Sequence, residues 1–553
     1  MQELTILLGG ITGSGINEAG TAIARVFNRL GYHIYMYYDY PSRVRGGHSF
    51  ALLRIADHPI AAHSDEVDVV LALDMEGIVR HQSQWLSHTL IIYDPDQFSV
   101  PAGEQPQAGI PVTQILQQEA APADQRTVCM IGALCKLLGI DLGLYEEVLQ
   151  KHAPSDLEHK TRVARRGYDA AEQIRVIEKL NNPALPIMLG SHAISLGLVK
   201  AGLQAYVAYP MTPTSPLLEY LALNAPEFGL QVVLPESEIA VMIMALGYSY
   251  MGIKTAVGTS GGGFSLMVEG LGLAGQAELP VVVVMGQRPG PSTGMPTYTS
   301  QSDLQFVLSA SQGEFPRFIV APGDAEEAYY WSGIALNKAW QYQMPAFVLT
   351  DKALGLGLFN LDLTVAGDLK EETPRLWNGQ GEYRRYAEDA QGISPLAFPP
   401  LPAQVVKTNS YVHDERGITT ENPDIATAIA DKRKLKEKSL AADLDTYATV
   451  KVYGSGPTAL LCWGSNKGVC VETADKLGLK VIQMLVLSPF PSRALAQALE
   501  GVTQLIGVEC NATGQLATLL QQHGFQVDQR ILKYDGRPFS LQDLEKEIEK
   551  VSI

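Results

Sequence analysis

The chain has 553 residues, of which 46% are hydrophobic and 18% are charged, and its formal net charge is −17. This length exceeds what one hydrophobic core can hold, so we expect about three or four domains. The acidic balance argues against nucleic-acid binding, because a phosphate-binding surface needs clustered lysine and arginine. The only dense basic run, 432–438, is expected to lie on a solvated linker or helix face.

Two further patterns exclude classes of protein. No apolar stretch reaches the roughly 18 uninterrupted residues that a membrane span needs, and the first residues lack the basic start of a signal peptide. We therefore expect a cytoplasmic chain without a membrane span. The 5 cysteines form no CxxC pair, whereas a zinc site or an iron–sulfur cluster needs closely spaced thiolates. We expect these cysteines to be small buried hydrophobic residues.

The first 180 residues are typical of an α/β domain. Residues 4–8 form an apolar strand, a glycine-rich turn follows, and 16–30 has helical periodicity. A further helix is expected at 126–138, and the charged segment 143–180 is expected to be helical. The other expected strands are 33–38, 50–55, 67–72 and 89–93.

Strands and helices are also expected to alternate in the rest of the chain. A second α/β domain is expected over 186–363, a proline-rich connector over 364–455 with a helix at 426–440, and a third α/β domain over 456–553. This alternation favours mainly parallel sheets covered on both faces. The expected strands are 187–189, 255–258, 280–285, 346–350, 459–463, 480–485 and 504–508.

Two glycine-rich segments of the first domain suit anion binding. Gly13 and Gly15 lie between a strand and a helix, where backbone N–H groups can approach a phosphate. The spacing is not GxGxxG, so a dinucleotide site is disfavoured, while a purely structural turn and a loop for another phosphorylated ligand both stay open. Arg43 and Arg45 precede the pair 46–47. These guanidinium groups either clamp a phosphate or carboxylate or simply lie on the surface.

The second domain carries the sharpest signal, the sequence Tyr-Pro-Met-Thr-Pro-Thr-Ser-Pro at 209–216. Its three prolines and three threonine or serine residues at a strand end indicate a rigid loop that presents hydroxyl groups. Glu236 and Glu238 then precede an apolar helix, where acidic side chains also complement the helix dipole. Glycine-rich turns follow the next two strands, at 258–263 and 286–294.

One of these turns has an alternative interpretation. Residues 258–262 fit GxSxG, the turn that exposes the nucleophilic serine of α/β hydrolases. Ser260 would then need a later acid and a histidine, and only His413 and His523 follow it. His413 falls in the predicted connector, so the hydrolase is a weak alternative.

Taken together, these segments resemble the α subunits of 2-oxoacid:ferredoxin oxidoreductases, most closely the form with a γ domain fused at the N-terminus. The loop 209–215 is similar to the family's YPITPSS loop, with Met211 in place of isoleucine. The first-domain turns resemble the γ-domain signatures. The other matching segments are 287–297, Gln301, Asp303-Leu304, 509–516 and 534–539.

The resemblance implies roles for individual residues. Glu238, with Glu236 as the fallback, would hydrogen-bond to the pyrimidine ring of thiamine diphosphate and so activate the cofactor. Arg288 and Thr212 would bind the substrate carboxylate, although Arg288 also suits a buried structural ion pair. Further implied contacts are Pro213 and Thr214 for the substrate; Tyr209, Pro210, Gly261 and Gly262 for the cofactor; and Gly13, Gly15, Arg43, Arg45, Gly46 and Gly47 for coenzyme A.

A missing motif implies a partner. Thiamine diphosphate-binding folds of this kind usually carry a Gly-Asp-Gly motif for Mg²⁺, and none occurs in this sequence. The resemblance therefore implies a β subunit that carries the diphosphate site, the Mg²⁺ and a 4Fe–4S cluster, in an (αβ)2 assembly. No metal is assigned to this chain. Its expected domains are a γ-type domain (1–180), a pyrimidine-binding domain (186–363), the connector (364–455) and a transketolase-like domain (456–553).

The reaction that the resemblance implies is coenzyme A-dependent oxidative decarboxylation of a 2-oxoacid, with reduction of ferredoxin. The fused γ domain favours 2-oxoglutarate, and pyruvate or branched-chain 2-oxoacids are the alternatives. A non-catalytic regulatory subunit is a different class of function. The presence of Thr212, Glu238 and Arg288 together argues for catalysis.

Overall fold

The computed structural model describes residues 3–42, 46–101 and 103–551. The chain divides into two compact units. The first unit comprises Met1–Met188, Gly357–Asp362 and Phe539–Lys546, and the second comprises Leu189–Leu356, Leu363–Pro538 and Glu547–Ile553. Within the described ranges, none of the helices combines the length and the apolarity that a membrane crossing requires.

The described strands and helices alternate along most of the chain. The strands are β1 (Glu3–Ile11), β2 (His33–Asp39), β3 (His48–Ala56), β4 (Val67–Ala72), β5 (Trp85–Tyr93), β6 (Gln107–Gly109), β7 (Ile187–Leu189), β8 (Ala205–Ala208), β9 (Gln231–Val233), β10 (Thr255–Ser260), β11 (Val281–Gln287), β12 (Phe318–Val320), β13 (Pro345–Asp351), β14 (Leu358–Asn360), β15 (Val450–Tyr453), β16 (Thr458–Trp463), β17 (Lys480–Met484), β18 (Val486–Ser488), β19 (Gln504–Glu509) and β20 (Gln529–Leu532). The helices are α1 (Ile16–Arg29), α2 (Met75–Val79), α3 (Val112–Gln118), α4 (Arg126–Leu137), α5 (Leu142–His152), α6 (Leu157–Asp169), α7 (Gly190–Lys200), α8 (Ser215–Leu223), α9 (Ala225–Phe228), α10 (Glu238–Tyr250), α11 (Gly261–Ala277), α12 (Leu304–Ser309), α13 (Ala325–Tyr342), α14 (Lys352–Gly355), α15 (Pro423–Leu444), α16 (Asn466–Leu477), α17 (Ser492–Ala498), α18 (Gln515–Gln522) and α19 (Leu541–Lys550).

The first sheet has the order β6-β5-β4-β1-β3-β2-β14-β7 among the described strands. β1 is buried along nearly its whole length and pairs in parallel with β4 and antiparallel with β3. β2 and β3 are also antiparallel, because the short connection between them cannot hold a crossover. The predicted α/β fold with mainly parallel sheets is confirmed, and this side of the first sheet is its antiparallel part.

One predicted helix ends early. The segment 143–180 is helical only as far as Asp169, the last residue of α6. Beyond it, the backbone N–H groups of Ile174 and Ile177 donate to Leu137 and Leu138 at the end of α4, and that of Leu180 donates to Leu30. Tertiary partners therefore replace the hydrogen bonds that a longer helix would have made within itself.

The second sheet, of order β18-β12-β13-β11-β10-β8-β9, lies in the second unit. Five consecutive strands of this sheet, β13, β11, β10, β8 and β9, are parallel to one another. Helices α10 and α11 pack on it through a core that includes Val241, Phe264 and Met267. Because β8, β10 and β11 are adjacent and parallel, the segments that follow them emerge at the same edge of the sheet.

The third sheet, of order β15-β17-β16-β19-β20, is connected to the second through Gln301. The Gln301 side chain donates to the Trp463 carbonyl at 2.7 Å and accepts from Asn466 at 2.8 Å and from the Cys510 backbone at 2.9 Å. Asn511 in turn donates to the Gln301 carbonyl at 3.1 Å. The C-terminal sequence motif 509–516 thus fixes the segment that leads from Arg288 to α12.

The predicted connector helix is confirmed as α15, but the expectation for its basic run was wrong in part. Lys432 and Lys436 are buried, and their ammonium groups lie 2.8 and 2.6 Å from the carboxylate of buried Glu278. Residues four apart share one helix face, so the run has an inward pair, whereas Lys434 and Lys438 are exposed. A buried acid at the end of α11 explains this burial of two lysines.

Candidate active site

Three segments at one edge of the second sheet build a cavity of about 710 Å³. The loop after β8 contributes Met211, the start of α11 contributes its glycines, and the segment after β11 contributes Arg288. The full set of lining residues is Met211, Glu238, Gly261, Gly262, Gly263, Ser265, Arg288, Gly290, Pro291, Ser292, Thr293, Asp303 and Phe306. The sequence therefore folds two acids, one cation and several hydroxyl groups around a common space.

Glu238 is the first residue of α10, and its carboxylate faces this cavity although the residue is only 6% exposed. Ser237 caps the helix and accepts a hydrogen bond from the Ala240 backbone, which leaves Glu238 free of the capping role. Among the described residues, none donates a hydrogen bond to the Glu238 carboxylate. The other candidate acid, Glu236, is exposed and does not line the cavity. The structure thus distinguishes Glu238 from Glu236, which the sequence pattern alone could not do.

Gly263 allows the Glu238 carboxylate to approach α11. A Cβ at this position would lie 2.5 Å from the Glu238 Oε1 and 2.3 Å from the Thr259 Oγ1. Both distances are well inside van der Waals contact. Any side chain at 263 must therefore displace the carboxylate or the hydroxyl group.

Under the catalytic role that the resemblance implies for Glu238, we expect Gly263→Ala to lower the turnover of the complex by about 10- to 100-fold, because displacing a reacting group by an ångström has costs of this size. Steady-state kinetics of the purified complex measures the effect. Gly109→Ala is the control, since a Cβ at exposed Gly109 would make only ordinary contacts with Pro95, at 3.5 Å or more. Equal turnover for the two variants would show that the approach of Glu238 to Gly263 is unimportant.

Arg288 presents a cation to the cavity without a fixed anionic partner. Its Nη1 donates to the Thr212 carbonyl at 3.0 Å, and no described carboxylate lies within the 4.0 Å of an ion pair. Burial lowers the pKa of Arg288, and the nearby Asp303 opposes that shift. Arg288 thus makes no close ion pair among the described residues, and its remaining guanidinium donors are available to an anion.

The loop 209–216 contributes less to the cavity wall than predicted. Met211 lines it, whereas Thr212 is engaged through its carbonyl with Arg288. The Thr214 hydroxyl donates to the Met211 carbonyl at 2.8 Å, and Pro213 lies against Gly286. Tyr209 and Pro210 are exposed. The loop holds Arg288 through the Thr212 carbonyl. The direct ligand contacts predicted for the side chains of the loop stay predictions.

Asp303 lines the cavity and received no role from the sequence. It lies 15 residues beyond Arg288, and the segment held by Gln301 brings it back to the start of α11. A Cβ on Gly261 would lie 2.7 Å from the Asp303 Oδ1. Burial raises the pKa of Asp303 to about 6, and Arg288 offsets part of that rise. The only sequence signal was its place in the motif that follows Arg288.

The comparisons with known proteins agree on one family. Residues 196–431 match the family model "Pyruvate flavodoxin/ferredoxin oxidoreductase, thiamine diP-bdg", and residues 5–170 match "Pyruvate ferredoxin/flavodoxin oxidoreductase". The 2-oxoacid:ferredoxin oxidoreductase subunit alpha of Sulfolobus sp is 29% identical across 99% of this chain and 97% of its own length. The 2-oxoglutarate synthase subunit KorA of Methanocaldococcus jannaschii is 30% identical over 56% of this chain and 84% of its own length. The chain belongs to the 2-oxoacid:ferredoxin oxidoreductase α-subunit family.

A solved structure in this family has the same fold over the whole chain. It is the 2-oxoglutarate:ferredoxin oxidoreductase from Magnetococcus marinus, with 2-oxoglutarate, coenzyme A and succinyl-CoA bound. The TM-score is 0.92 at 28% identity, with 100% of this chain and 99% of that chain covered. The chain is thus one subunit type of a multi-subunit oxidoreductase. Glu238, Arg288 and Asp303 all fall in its thiamine diphosphate-binding region.

The structure of the GxSxG turn at 258–262 agrees with membership of the oxidoreductase family rather than with a hydrolase. Ser260 is completely buried at the end of β10, so its hydroxyl group cannot meet a substrate. The ring of His413 stacks on Tyr386 with centroids 3.7 Å apart, and His523 stacks on Phe490. The hydrolase alternative is wrong, because neither histidine is placed to activate this serine.

The first unit brings together two of the segments predicted to contact coenzyme A. The Thr12 backbone N–H donates to the Gly47 carbonyl at 3.0 Å, and Gly15, the residue before α1, has a positive φ of 75°. Nothing lies within 4 Å of a Cβ built on Gly13 or Gly46. These turns leave open space beside adjacent backbone segments. The predictions for Arg43 and Arg45 lie outside the described residues.

Proposed function

We propose that this chain is the catalytic α subunit of a 2-oxoglutarate:ferredoxin oxidoreductase, which converts 2-oxoglutarate and coenzyme A to succinyl-CoA and CO2 while reducing ferredoxin. The observation that carries the proposal is the buried Glu238 carboxylate and the Arg288 guanidinium on the wall of one cavity. One group suits a cofactor nitrogen and the other suits a carboxylate. A purely regulatory subunit would not need this pair.

The cavity fits the pyrimidine half of thiamine diphosphate. A buried carboxylate without a hydrogen-bond donor among the described residues is the group that a pyrimidine ring nitrogen would satisfy. When bound, the cofactor acts as the electron sink for decarboxylation. Glu238 would hold the proton shared with the ring, and the glycines 261 and 262 would let the ring approach the backbone of α11.

The residues do not fit the diphosphate and its Mg²⁺. The sequence has no Gly-Asp-Gly, and the described residues include no cluster of three or more potential metal ligands. We place the diphosphate, the Mg²⁺ and the 4Fe–4S cluster on a β subunit, in an (αβ)2 assembly that passes electrons to ferredoxin.

An exposed apolar surface beside the cavity supports such a partner. Ile239 and Ile243 of α10 and Leu266 of α11 are 54%, 47% and 49% exposed. Ile239 adjoins Glu238 in sequence, and Leu266 adjoins Ser265 of the cavity wall. Exposed apolar side chains grouped in this way mark interaction sites. A β subunit docked here would close the cavity and exclude water from the reaction.

The substrate assignment follows the relatives, and the cavity is compatible with it. Arg288 would bind the carboxylate next to the 2-oxo group through charge-assisted hydrogen bonds. Among the described lining residues it is the only cation, so a second carboxylate would meet the hydroxyl groups of Ser265, Ser292 and Thr293 or groups from the partner. The open turns of the first unit, 12–15 and 46–47, are our candidate for contacts with coenzyme A.

The substrate test uses the complex co-expressed anaerobically with its β-type partner. Coenzyme A-dependent reduction of viologen is measured with 2-oxoglutarate, pyruvate and a branched-chain 2-oxoacid side by side. We expect the largest kcat/KM with 2-oxoglutarate. A larger value with pyruvate or the branched-chain acid would retain the reaction class and refute the substrate assignment.

Arg288→Ala is expected to raise the KM for the 2-oxoacid by about 100-fold or more, because two charge-assisted hydrogen bonds are lost. The KM should change more than kcat. Arg493→Ala is the control, since Arg493 pairs at the surface with exposed Asp445, and its KM should stay within about twofold of wild type. An unchanged KM for Arg288→Ala would remove Arg288 from the substrate site.

A further inference from the structure

Asp303 is a carboxylate on the wall of the substrate cavity that the reaction scheme leaves unused. Its Oδ2 is buried and makes no hydrogen bond with any described group. Its backbone N–H donates to the Gln287 side chain at 3.3 Å, and its Oδ1 faces Gly261 at the start of α11. A buried carboxylate oxygen without a donor is costly when ionised, so this position favours a group that changes its protonation state.

The charges around Asp303 are few. Arg288, at the end of β11, is the charged group that acts on it, and the two side chains are not within ion-pair distance. Glu238, at the start of α10, is the other ionisable group on the wall. The segment 290–293, the start of α11 and Phe306 of α12 contribute neutral groups only. Arg288 is therefore the cation that shares the cavity wall with Asp303, although the two side chains make no ion pair.

We propose that Asp303 is the counter-charge that Arg288 gives up when a substrate carboxylate binds, so that substrate capture is coupled to the uptake of one proton by Asp303. The inference rests on the proposed function, because it takes the ligand of Arg288 to be a 2-oxoacid. The incoming carboxylate neutralises the positive charge of Arg288, and its own negative charge repels ionised Asp303. One proton taken up from solvent then neutralises the Asp303 carboxylate.

The direction of the pH dependence follows from this exchange. Burial outweighs Arg288 and raises the pKa of Asp303 to about 6 in the free site. A bound carboxylate raises this pKa further, so binding is strongest where Asp303 is already protonated. The KM should therefore increase by about fivefold between pH 6 and pH 7 when the bound carboxylate raises the pKa to about 8 or higher, and by about threefold when it raises the pKa to about 7. Asp303→Asn, which resembles the protonated acid in shape and charge, should remove the increase.

The test measures KM and kcat for 2-oxoglutarate from pH 5.5 to 8 in the wild-type complex and in Asp303→Asn. We expect a KM that varies by less than about twofold in the variant and that lies below the wild-type value at pH 7.5. Asp303→Ser, also uncharged, repeats the test should the amide disturb folding. Exposed Glu219→Gln is the control and should keep the wild-type profile.

The outcomes separate this inference from the function on which it rests. A wild-type complex that turns over 2-oxoglutarate, with a KM independent of pH or with the same profile in both Asp303 variants, overturns the proton coupling alone. A wild-type complex that turns over no 2-oxoacid overturns both. A raised KM in Asp303→Asn at every pH would also contradict the proposal, since it would make Asp303 an attractive rather than a competing group.

Discussion

Replacing Glu238 with glutamine is expected to reduce the turnover of the assembled complex by at least about 100-fold, the size of a typical acid–base contribution. The amide keeps the shape of the side chain but cannot exchange a proton with a pyrimidine ring. Glu238 is buried on the cavity wall and accepts no hydrogen bond from a described residue, while the other acid of the wall, Asp303, lies on a different element. Viologen reduction by the purified complex measures kcat, and the thiamine diphosphate content checks cofactor binding.

Glu236→Gln is the matched control, because Glu236 lies two residues away and is exposed outside the cavity. Its kcat should remain within about twofold of wild type. If Glu236→Gln abolished turnover and Glu238→Gln did not, the assignment of the catalytic acid would be reversed. Full activity of both variants would leave only a non-catalytic role for this chain.

Glu278→Gln is expected to destabilise the second unit by about 3–5 kcal/mol, because it leaves two buried ammonium groups without a counter-charge. The Glu278 carboxylate is 2.8 Å from Lys432 and 2.6 Å from Lys436, and all three side chains are buried. The midpoint of urea unfolding, followed by tryptophan fluorescence, measures the change. Lys434→Gln, which removes an exposed charge from the same helix, should shift stability by no more than about 0.5 kcal/mol.

The pH dependence of this stabilisation has a defined sign. Burial alone would raise the pKa of Glu278, but Lys432, Lys436 and Arg385 outweigh it and hold the pKa well below its usual range. The contribution is therefore complete above the ordinary glutamate pKa of about 4.3 and is lost only as the pH falls further. The stabilisation that Glu278 gives the wild type should thus not change between pH 5 and 7. A difference below about 1 kcal/mol throughout would mean that the cluster is not a buried ion pair in solution.

Much of the fold was predictable because its central strands are long apolar runs. β4 was predicted at its observed bounds, and β10, β11 and β13 within two residues at either end. Burial on both faces of a parallel sheet imposes this pattern on the sequence. The early end of α6 at Asp169 could not be predicted, since the following segment hydrogen-bonds to residues distant in the chain.

The site residues were predictable only where a single continuous segment of sequence forms a recognisable motif. Arg288 and Glu238 lie in dense motifs, but the choice between Glu238 and Glu236 depends on which side chain turns into the cavity. No role was predicted for Asp303 or Gly263, because their importance depends on neighbouring residues in other helices and strands. Lys432 and Lys436 were misplaced for the same reason, since only the position of Glu278 makes their burial favourable.

The most direct test of the central claim compares the chain alone with its complex with a β-type partner, both purified anaerobically. Coenzyme A-dependent reduction of ferredoxin is measured with 2-oxoglutarate and added thiamine diphosphate and Mg²⁺. We predict no turnover by the chain alone and full turnover by the complex, because the chain has the buried Glu238 and Arg288 but no Gly-Asp-Gly motif. Turnover by the chain alone, or a complex with cofactor and cluster bound that oxidises no 2-oxoacid, would contradict the account.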